Sequence, residues 1–493
     1  MSAELALLIA LGAPAAQTLL VLALARPPGL RDAVHVGMTL LTALACASLL
    51  SAAAHGEAVR LVLARPLPNV DLAFHVEPLG ALMAAVLSGL GVLHALHTAG
   101  YARATHEKAP ARQMAFIALA NAATMAVAFS ANLFTFFVAY QGLILAVFPL
   151  VAHRGDEDSR KAARAFLATL LTASVGLLLP AMVWTYAITS ALEFQPGGVL
   201  AGRVDALTAN VLLVLYVLGL AMAAMPPLHR WLAATSVADS PALVTIQALA
   251  VLPAGAIGLL KIAAYVFGPA LHSESMDDAT LASRGLILLA GVGMGGAALI
   301  ALSRQDVRER LAYSAMAQIL AVAIGVLLAL PAGLFAAALQ VVAFSCASAT
   351  LLMAVGTTVA VTTRERVADY SGLGRIMPWT FAGFAVASAS MIGLPPFAGA
   401  WSKLWLITAS TGAGLVWAAG LVALAAILTF AHLGPLAVSA LAGRAPTDAF
   451  KRPDGASILL AAPVVLGALA TLALLLFADP LASYLAPMWT PRS

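Results

Sequence analysis

Met391-Ile-Gly-Leu-Pro-Pro-Phe-Ala-Gly-Ala-Trp-Ser-Lys403 lies inside an apolar stretch running from about Met377 to Ser410. A lysine at that depth in a bilayer costs about 2.5–3.5 kcal/mol on insertion scales, so such a residue faces the protein interior and has a partner there. Gly393, Pro395 and Pro396 precede it. Proline removes a backbone donor, and the carbonyls freed at such a break are tolerated in a membrane only where they line a protein-enclosed cavity. A charged group beside a broken membrane helix points to an ion or proton path.

The remainder of the chain is apolar to match. Of 493 residues, 62% are hydrophobic and 10% charged, and the mean hydropathy is +0.97. Soluble domains carry about 25% charged residues, so the composition predicts an all-α, polytopic membrane protein. We read residues 1–493 as a single transmembrane helical domain, with a core over 75–450 flanked by helices in 1–74 and 451–493. Glu4 and the lack of Lys or Arg before Arg26 argue against a basic signal-peptide n-region, so the first apolar run reads as the first membrane helix. Cys46 and Cys346 have no metal or disulfide spacing. No nucleotide loop, nucleophile–base set or C-x-x-C is visible, and we expect no catalytic residue, metal, cofactor or nucleic-acid partner.

Runs of roughly 20 apolar residues, the length that crosses a bilayer, fall near 4–26, 33–54, 78–99, 113–130, 132–152, 163–189, 207–228, 240–268, 283–302, 311–330, 332–362, 376–409, 412–441 and 456–478, about fourteen spans. The fourth and fifth are divided only at Ser130–Asn132. Loops after odd-numbered spans hold 19 of the 26 Lys and Arg, from Arg26 to Arg452, whereas loops after even-numbered spans hold Arg60, Arg65, Arg203 and Arg284. By the positive-inside rule the basic loops are cytoplasmic and both termini outside, as expected in a bacterial inner membrane. The 22 Asp and Glu fall in loops or near span ends, with Glu4, Glu77 and Asp479 closest to a span. No buried carboxylate is therefore expected.

Two lysines fall within spans, Lys403 and Lys261. Lys261 lies about two-thirds through the eighth span, where its stem could snorkel to the outer interface or its amine could join a path. His432, ahead of Gly434-Pro435, could relay protons or serve only in packing. His94 and His97 share a helix face but lack a third ligand. Pro253 and Gly255 interrupt the eighth span as Gly393, Pro395 and Pro396 interrupt the twelfth. Paired interruptions of this kind predict inverted repeats around a translocation path. His229 sits in Pro226-Pro-Leu-His229-Arg-Trp231, which we take as the end of the seventh span. Gln318, Gln340, Gln247 and Gln141 place neutral polar groups in apolar spans, either as interhelical hydrogen bonds or as the wetting of a water path.

Several of these segments jointly resemble the antiporter-like membrane subunits shared by respiratory complex I (NADH:quinone oxidoreductase), membrane-bound hydrogenases and Mrp-type cation/proton antiporters. They are Pro227-Leu-His-Arg-Trp231-Leu, Ser240-Pro241 followed by Ala254-Gly255, Asp306 through Leu311-Ala-Tyr-Ser to Gln318, and above all Ser390 through Lys403. The resemblance implies fourteen helices, other membrane subunits as partners in a hetero-oligomeric complex, protons or monovalent cations as cargo, and a row of protonatable residues across the membrane. In that row a glutamate of the fifth helix pairs with a lysine of the seventh, and charged residues of the eighth and twelfth continue it.

Here the glutamate position reads Gln141, the seventh-helix lysine Met222, the eighth-helix position Pro253 and an eleventh-helix lysine Ser348. Gln cannot ionise and Met cannot donate a proton. Lys403 alone keeps its place, with either a neutral amine or a cation held by carbonyls freed at Pro395–Pro396. Three functions are compatible with this pattern. One is a proton- or cation-translocating subunit with a degenerate path, as in an oxidoreductase- or hydrogenase-type translocase, using Lys403, Lys261, His432, Gln141, His229 and Gln318. Another is the membrane half of a two-part inorganic-carbon uptake system with a soluble zinc-protein partner. The third is a non-conducting structural subunit.

Overall fold

The structure, a computed structural model, describes residues 1–67, 70–268, 280–444 and 457–486. Lys451, Arg452 and Arg492 of the charge asymmetry lie outside the described residues. Helices α1 (Ala3–Ala23), α2 (Pro28–Ala54), α3 (Pro78–Ala104), α4 (Pro110–Ala128) and α5 (Leu133–Val151) are followed by α6 (Glu157–Ala173) and α7 (Leu179–Thr189), which a π-turn joins into one rod. After α8 (Ala206–Gly219) and α9 (Arg230–Ala234) come α10 (Ser240–Val244) and α11 (Val251–Lys261). The chain continues through α12 (Thr280–Ser303), α13 (Val307–Leu327), α14 (Pro331–Thr362), α15 (Pro378–Ile392), α16 (Ala398–Gly412), α17 (Val416–Ala442), α18 (Ser457–Ala473) and α19 (Ala478–Leu485). Eleven helices or continuous rods among the described residues are long and apolar enough to cross a membrane.

Local chemistry starts these helices where the sequence suggests. Proline stands in the first turn of α2, α3, α4, α14 and α15, where its missing N–H would have had no partner. The carboxylate of Asp306 accepts from the backbone N–H of Arg308 and Glu309 at 2.8 and 3.2 Å, and Asn132 caps α5 through Thr135 N–H at 2.8 Å. Wholly buried windows occur in α14 and in the rod Ser240–Phe267, which form the centre of the bundle. Outward-facing residues such as Leu19, Val416 and Ile427 are exposed, as side chains against lipid would be.

Three features depart from the sequence reading. The link between the second and third spans is an antiparallel hairpin, β1 (Arg60–Leu67) and β2 (Val70–His75), pairing Arg60 with His75 and Leu61 with Phe74. The eighth rod is interrupted at Ala250 (φ −129°, ψ −72°), three residues ahead of Pro253, and π-turns flank α11 on both sides. Pro253 itself sits in the first turn of α11, where its ring is tolerated.

The third departure is in the seventh span. It is not intact to residue 228: α8 stops at Gly219, and Ala224 turns left-handed (φ 51°) before Pro226-Pro227. The seventh span is thus broken as well as the eighth, and its break is the one whose sequence matches the twelfth span's. Met222, Ala224 and Pro226-Pro227 stand in the same order and spacing as Met391, Gly393 (φ 91°) and Pro395-Pro396. Gly255 lies where the eighth rod presses on this break; a Cβ there would overlap the backbone of Met222 and Ala223.

Candidate functional site

The twelfth-span break exposes carbonyls at the C-terminus of α15, and Lys403 on the second turn of α16 turns back to them. Its Nζ donates to the Met391 carbonyl, and the side chain is buried. Gly393 leaves room for the lysine stem: a Cβ there would stand 2.7 Å from Lys403 Cδ and 3.2 Å from Nζ. Ser402, next in the chain, hydrogen-bonds Gln340 Oε1, and Gln340 Nε2 donates to Gln318 Oε1 at 2.9 Å. A neutral polar file of three side chains from α13, α14 and α16 thus reaches the residue that precedes Lys403 in the chain.

Lys261 does not snorkel. It is fully buried, with Nζ 2.7 Å from Glu77 Oε1. The ammonium also donates to the Ser130 carbonyl at 2.9 Å and lies 5.2 Å from the centroid of the Phe194 ring. Local sequence explains the meeting. Pro78 starts α3, so Glu77 occupies the cap position without capping, and its carboxylate is free to reach Lys261. Chain division at Ser130–Asn132 releases the Ser130 carbonyl from any helix. The expectation that no buried carboxylate assists this chain is overturned: Glu77 is 9% exposed.

Glu77, but not the fully buried Lys261, borders a cavity of about 720 Å³. Hairpin residue His75, together with Glu57, Ser130, Phe194, Tyr265 and Tyr484, lines it. Tyr265 ends the eighth rod, Tyr484 is in the final helix and the others belong to loops after even-numbered spans, so the cavity lies at the hairpin end, opposite the arginine-rich loops.

The other candidates are placed differently. His432 is buried, its Nδ1 bonded to the Leu428 carbonyl at 2.8 Å, while Arg310 donates to the His432 carbonyl at 3.0 Å. Gln141 Oε1 accepts from Ser174 at 3.2 Å. The Met222 backbone N–H is taken by the Tyr140 hydroxyl at 2.9 Å, and Trp231 Nε1 donates to the Ala221 carbonyl at 3.1 Å. His229 is half-buried at the start of α9. His94 Nε2 donates to the Pro241 carbonyl at 2.9 Å, and His97 meets Thr357 at 3.4 Å. The structure thus joins Gln318 to Ser402, the chain neighbour of Lys403, through one file and pairs Lys261 with a carboxylate, whereas His432 and Gln141 have separate partners and His229 stands apart at the start of α9.

Residues 130–429, spanning both breaks and both buried lysines, match the family described as NADH:quinone oxidoreductase/Mrp antiporter, TM. The chain belongs to this family. It is 27% identical over 346 residues to NADH-quinone oxidoreductase subunit N of Desulforudis audaxviator, covering 69% of this chain and 66% of that protein. It is also 27% identical over 356 residues to subunit L of Mycobacterium tuberculosis, covering 70% of this chain and 53% of that protein. The chain therefore spans from about half to just under two thirds of the length of these relatives.

The family fold extends over nearly the whole molecule. A chain of the Mrp complex from Dietzia sp. superposes with TM-score 0.85 at 23% identity, covering 100% of this chain and 98% of that one. A chain of an archaeal membrane-bound sulfane sulfur reductase superposes with TM-score 0.85 at 20% identity, covering 98% and 97%. One from respiratory complex I of Thermus thermophilus superposes with TM-score 0.76 at 21% identity, covering 97% and 98%. Membership of this family makes the chain a multi-pass integral membrane protein.

Glu77, Ser130 and Ser402 were not singled out from the sequence. The signals for them were faint: an acid directly before a proline-initiated helix, a short polar divide between two spans, and a serine beside the conspicuous lysine.

Proposed function

We propose that this chain is a proton-translocating membrane subunit of a larger assembly of the complex I and Mrp antiporter type. It lies in a bacterial cytoplasmic membrane as one domain with the core in 75–450, its arginine-rich loops inside and both termini outside. The observation that carries this reading is the buried Glu77–Lys261 pair, whose carboxylate stands on the wall of the hairpin-end cavity. A carboxylate and an amine 2.7 Å apart, shielded from water, attract each other strongly, so a change of charge on one is felt at the other. Lys403 supplies a second protonatable site, with the Gln318–Gln340–Ser402 file beside it as a polar route. The degenerate positions Gln141, Met222 and Pro253 then lie off the working path. The pair also weighs against a purely structural role, because two buried charges generally stabilise a fold no better than well-packed apolar residues of similar volume.

Proton flux into membrane vesicles carrying the intact assembly tests this. Glu77→Gln and Lys403→Ala should each lower flux at least about tenfold, equivalent to ~1.4 kcal/mol on the barrier. Breaking a buried pair from one side costs about 3–5 kcal/mol of stability, while replacing both partners with apolar residues is often neutral. The double variant Glu77→Leu, Lys261→Met should therefore recover stability without recovering flux. Wild-type flux in all these variants would overturn the reading.

A further inference from the structure

At the arginine-rich end, three connecting segments that are distant in sequence converge on one point. Glu107 follows α3, His153 follows α5, and Asp239 directly precedes α10. One donor atom from each lies within 4.8 Å of the others. His153 is 6% exposed, and its Nδ1 has no hydrogen-bond partner, so no protein group fixes the ring's tautomer from that side. Its Nε2 stands 3.3 Å from Glu107 Oε1. That is long for a hydrogen bond to nitrogen, which spans about 2.7–3.2 Å. It also matches the ligand–ligand edge, about 3.3–3.4 Å, of a tetrahedron with bonds of about 2.0–2.1 Å.

The charges around the cluster are unusual for this end of the molecule. Asp239 holds the cap position of α10 but accepts no hydrogen bond from that helix. The nearby guanidiniums are engaged elsewhere. Arg154 pairs with Asp156 at 3.2 Å and donates to the Val237 carbonyl at 3.1 Å; Arg308 pairs with Glu365 at 2.7 Å and Asp306 at 3.5 Å. Arg112 takes the backbone carbonyl of His153 at 2.8 Å. Two carboxylates thus face an imidazole without an arginine between them, in the region richest in arginine.

We propose that Glu107, His153 and Asp239 bind a divalent metal of the zinc class, with water as the fourth ligand. One imidazole and two carboxylates are a donor set that Zn²⁺ accepts. The metal joins the segment after α3 to the start of the eighth rod. These same two elements carry Glu77 and Lys261 at their opposite ends, so occupancy would fix the two against each other. The proposal stands independently of proton transport.

Equilibrium dialysis of the tag-free, detergent-solubilised full chain against Zn²⁺ alone, with metal counted by elemental analysis, is the test. We expect one zinc per chain, and a loss of affinity of at least about tenfold in both His153→Ala and Asp239→Asn, in line with removal of a ligand. His106→Ala removes the exposed imidazole next to Glu107 and should leave binding intact; it controls for surface adsorption. Zinc should also raise the unfolding midpoint of the wild type and not that of the ligand variants. If His153→Ala does not fold, Asp239→Asn decides. No bound zinc, or equal binding in wild type and ligand variants, would overturn the proposal.

Discussion

At Ala224-Met-Pro-Pro in the seventh span and Gly393-Leu-Pro-Pro in the twelfth, the chain leaves its helix through a left-handed residue and two prolines. Each break frees carbonyls in the last helical turn before it, and different groups receive them. In the seventh span a neutral indole, Trp231, takes the Ala221 carbonyl, and the Tyr140 hydroxyl takes the Met222 N–H. In the twelfth, the Met391 carbonyl is taken by the Lys403 amine. A broken membrane helix therefore does not by itself make an ion site. What satisfies the freed backbone decides whether the break is a neutral seal or a place where charge can sit. Polar backbone in a bilayer must find a partner in either case.

Putting a cation into the sealed break is the harshest test of that difference. Met222→Lys places an amine at a fully buried position whose backbone is already committed to Tyr140. An unpaired charge there should cost about 2.5–3.5 kcal/mol, seen as a large fall in the unfolding midpoint or in yield of folded protein. Adding Gln141→Glu restores the carboxylate that the family pattern places opposite that lysine, and should recover part of the loss. A single variant as stable as the wild type would mean that the seventh break already offers a counter-group or water. The seal described above would then be wrong.

The reverse experiment crowds the charged break. Gly393→Ala puts a methyl group 2.7 Å from Lys403 Cδ and forces a left-handed alanine. The backbone term alone is about 1–2 kcal/mol, and overlap with the lysine stem adds to it. Lys403 must then give up the Met391 carbonyl, so stability and proton flux should fall together. Unchanged flux at reduced stability would separate the lysine's packing from its transport role.

The two breaks also differ in how legible they are. Gly393 before Pro395-Pro396 reads as a helix stop because glycine is the residue that adopts a left-handed backbone without penalty. Ala224 carries no such signal, so the seventh break was legible only as a proline pair at a span end. Apolar length exposed the spans, since a bilayer demands about twenty residues per helix. Lys403 stood out because nothing around it in sequence is charged. Glu77 was missed for the opposite reason. A carboxylate at a span end reads as solvated, whereas the hairpin, the segment carrying Phe194 and the last helix cover it in the fold. Its partner comes from a rod far along the chain, and pairing across that distance has no local signature. The Glu107–His153–Asp239 cluster is hidden in the same way, because three single residues on three loops form no spacing motif.

The smallest effect concerns that silent alanine. At φ 51° and ψ 32°, Ala224 sits where L-residues with a Cβ are strained, while its counterpart is glycine. Ala224→Gly removes a penalty of about 1–2 kcal/mol. It also adds the extra unfolded-state freedom of glycine, which offsets about 0.5–1 kcal/mol of that gain. The net change should be a stabilisation below about 1 kcal/mol, a rise of a degree or so in the unfolding midpoint. Flux should not change, because Trp231 and Tyr140 still hold the freed backbone groups. A loss of stability would mean that the methyl group packs well enough against the eighth rod, where Gly255 meets this turn, to outweigh the strain. A loss of flux would show that the seventh break has to be held rigid for transport, and that its neutral seal is part of the translocation machinery.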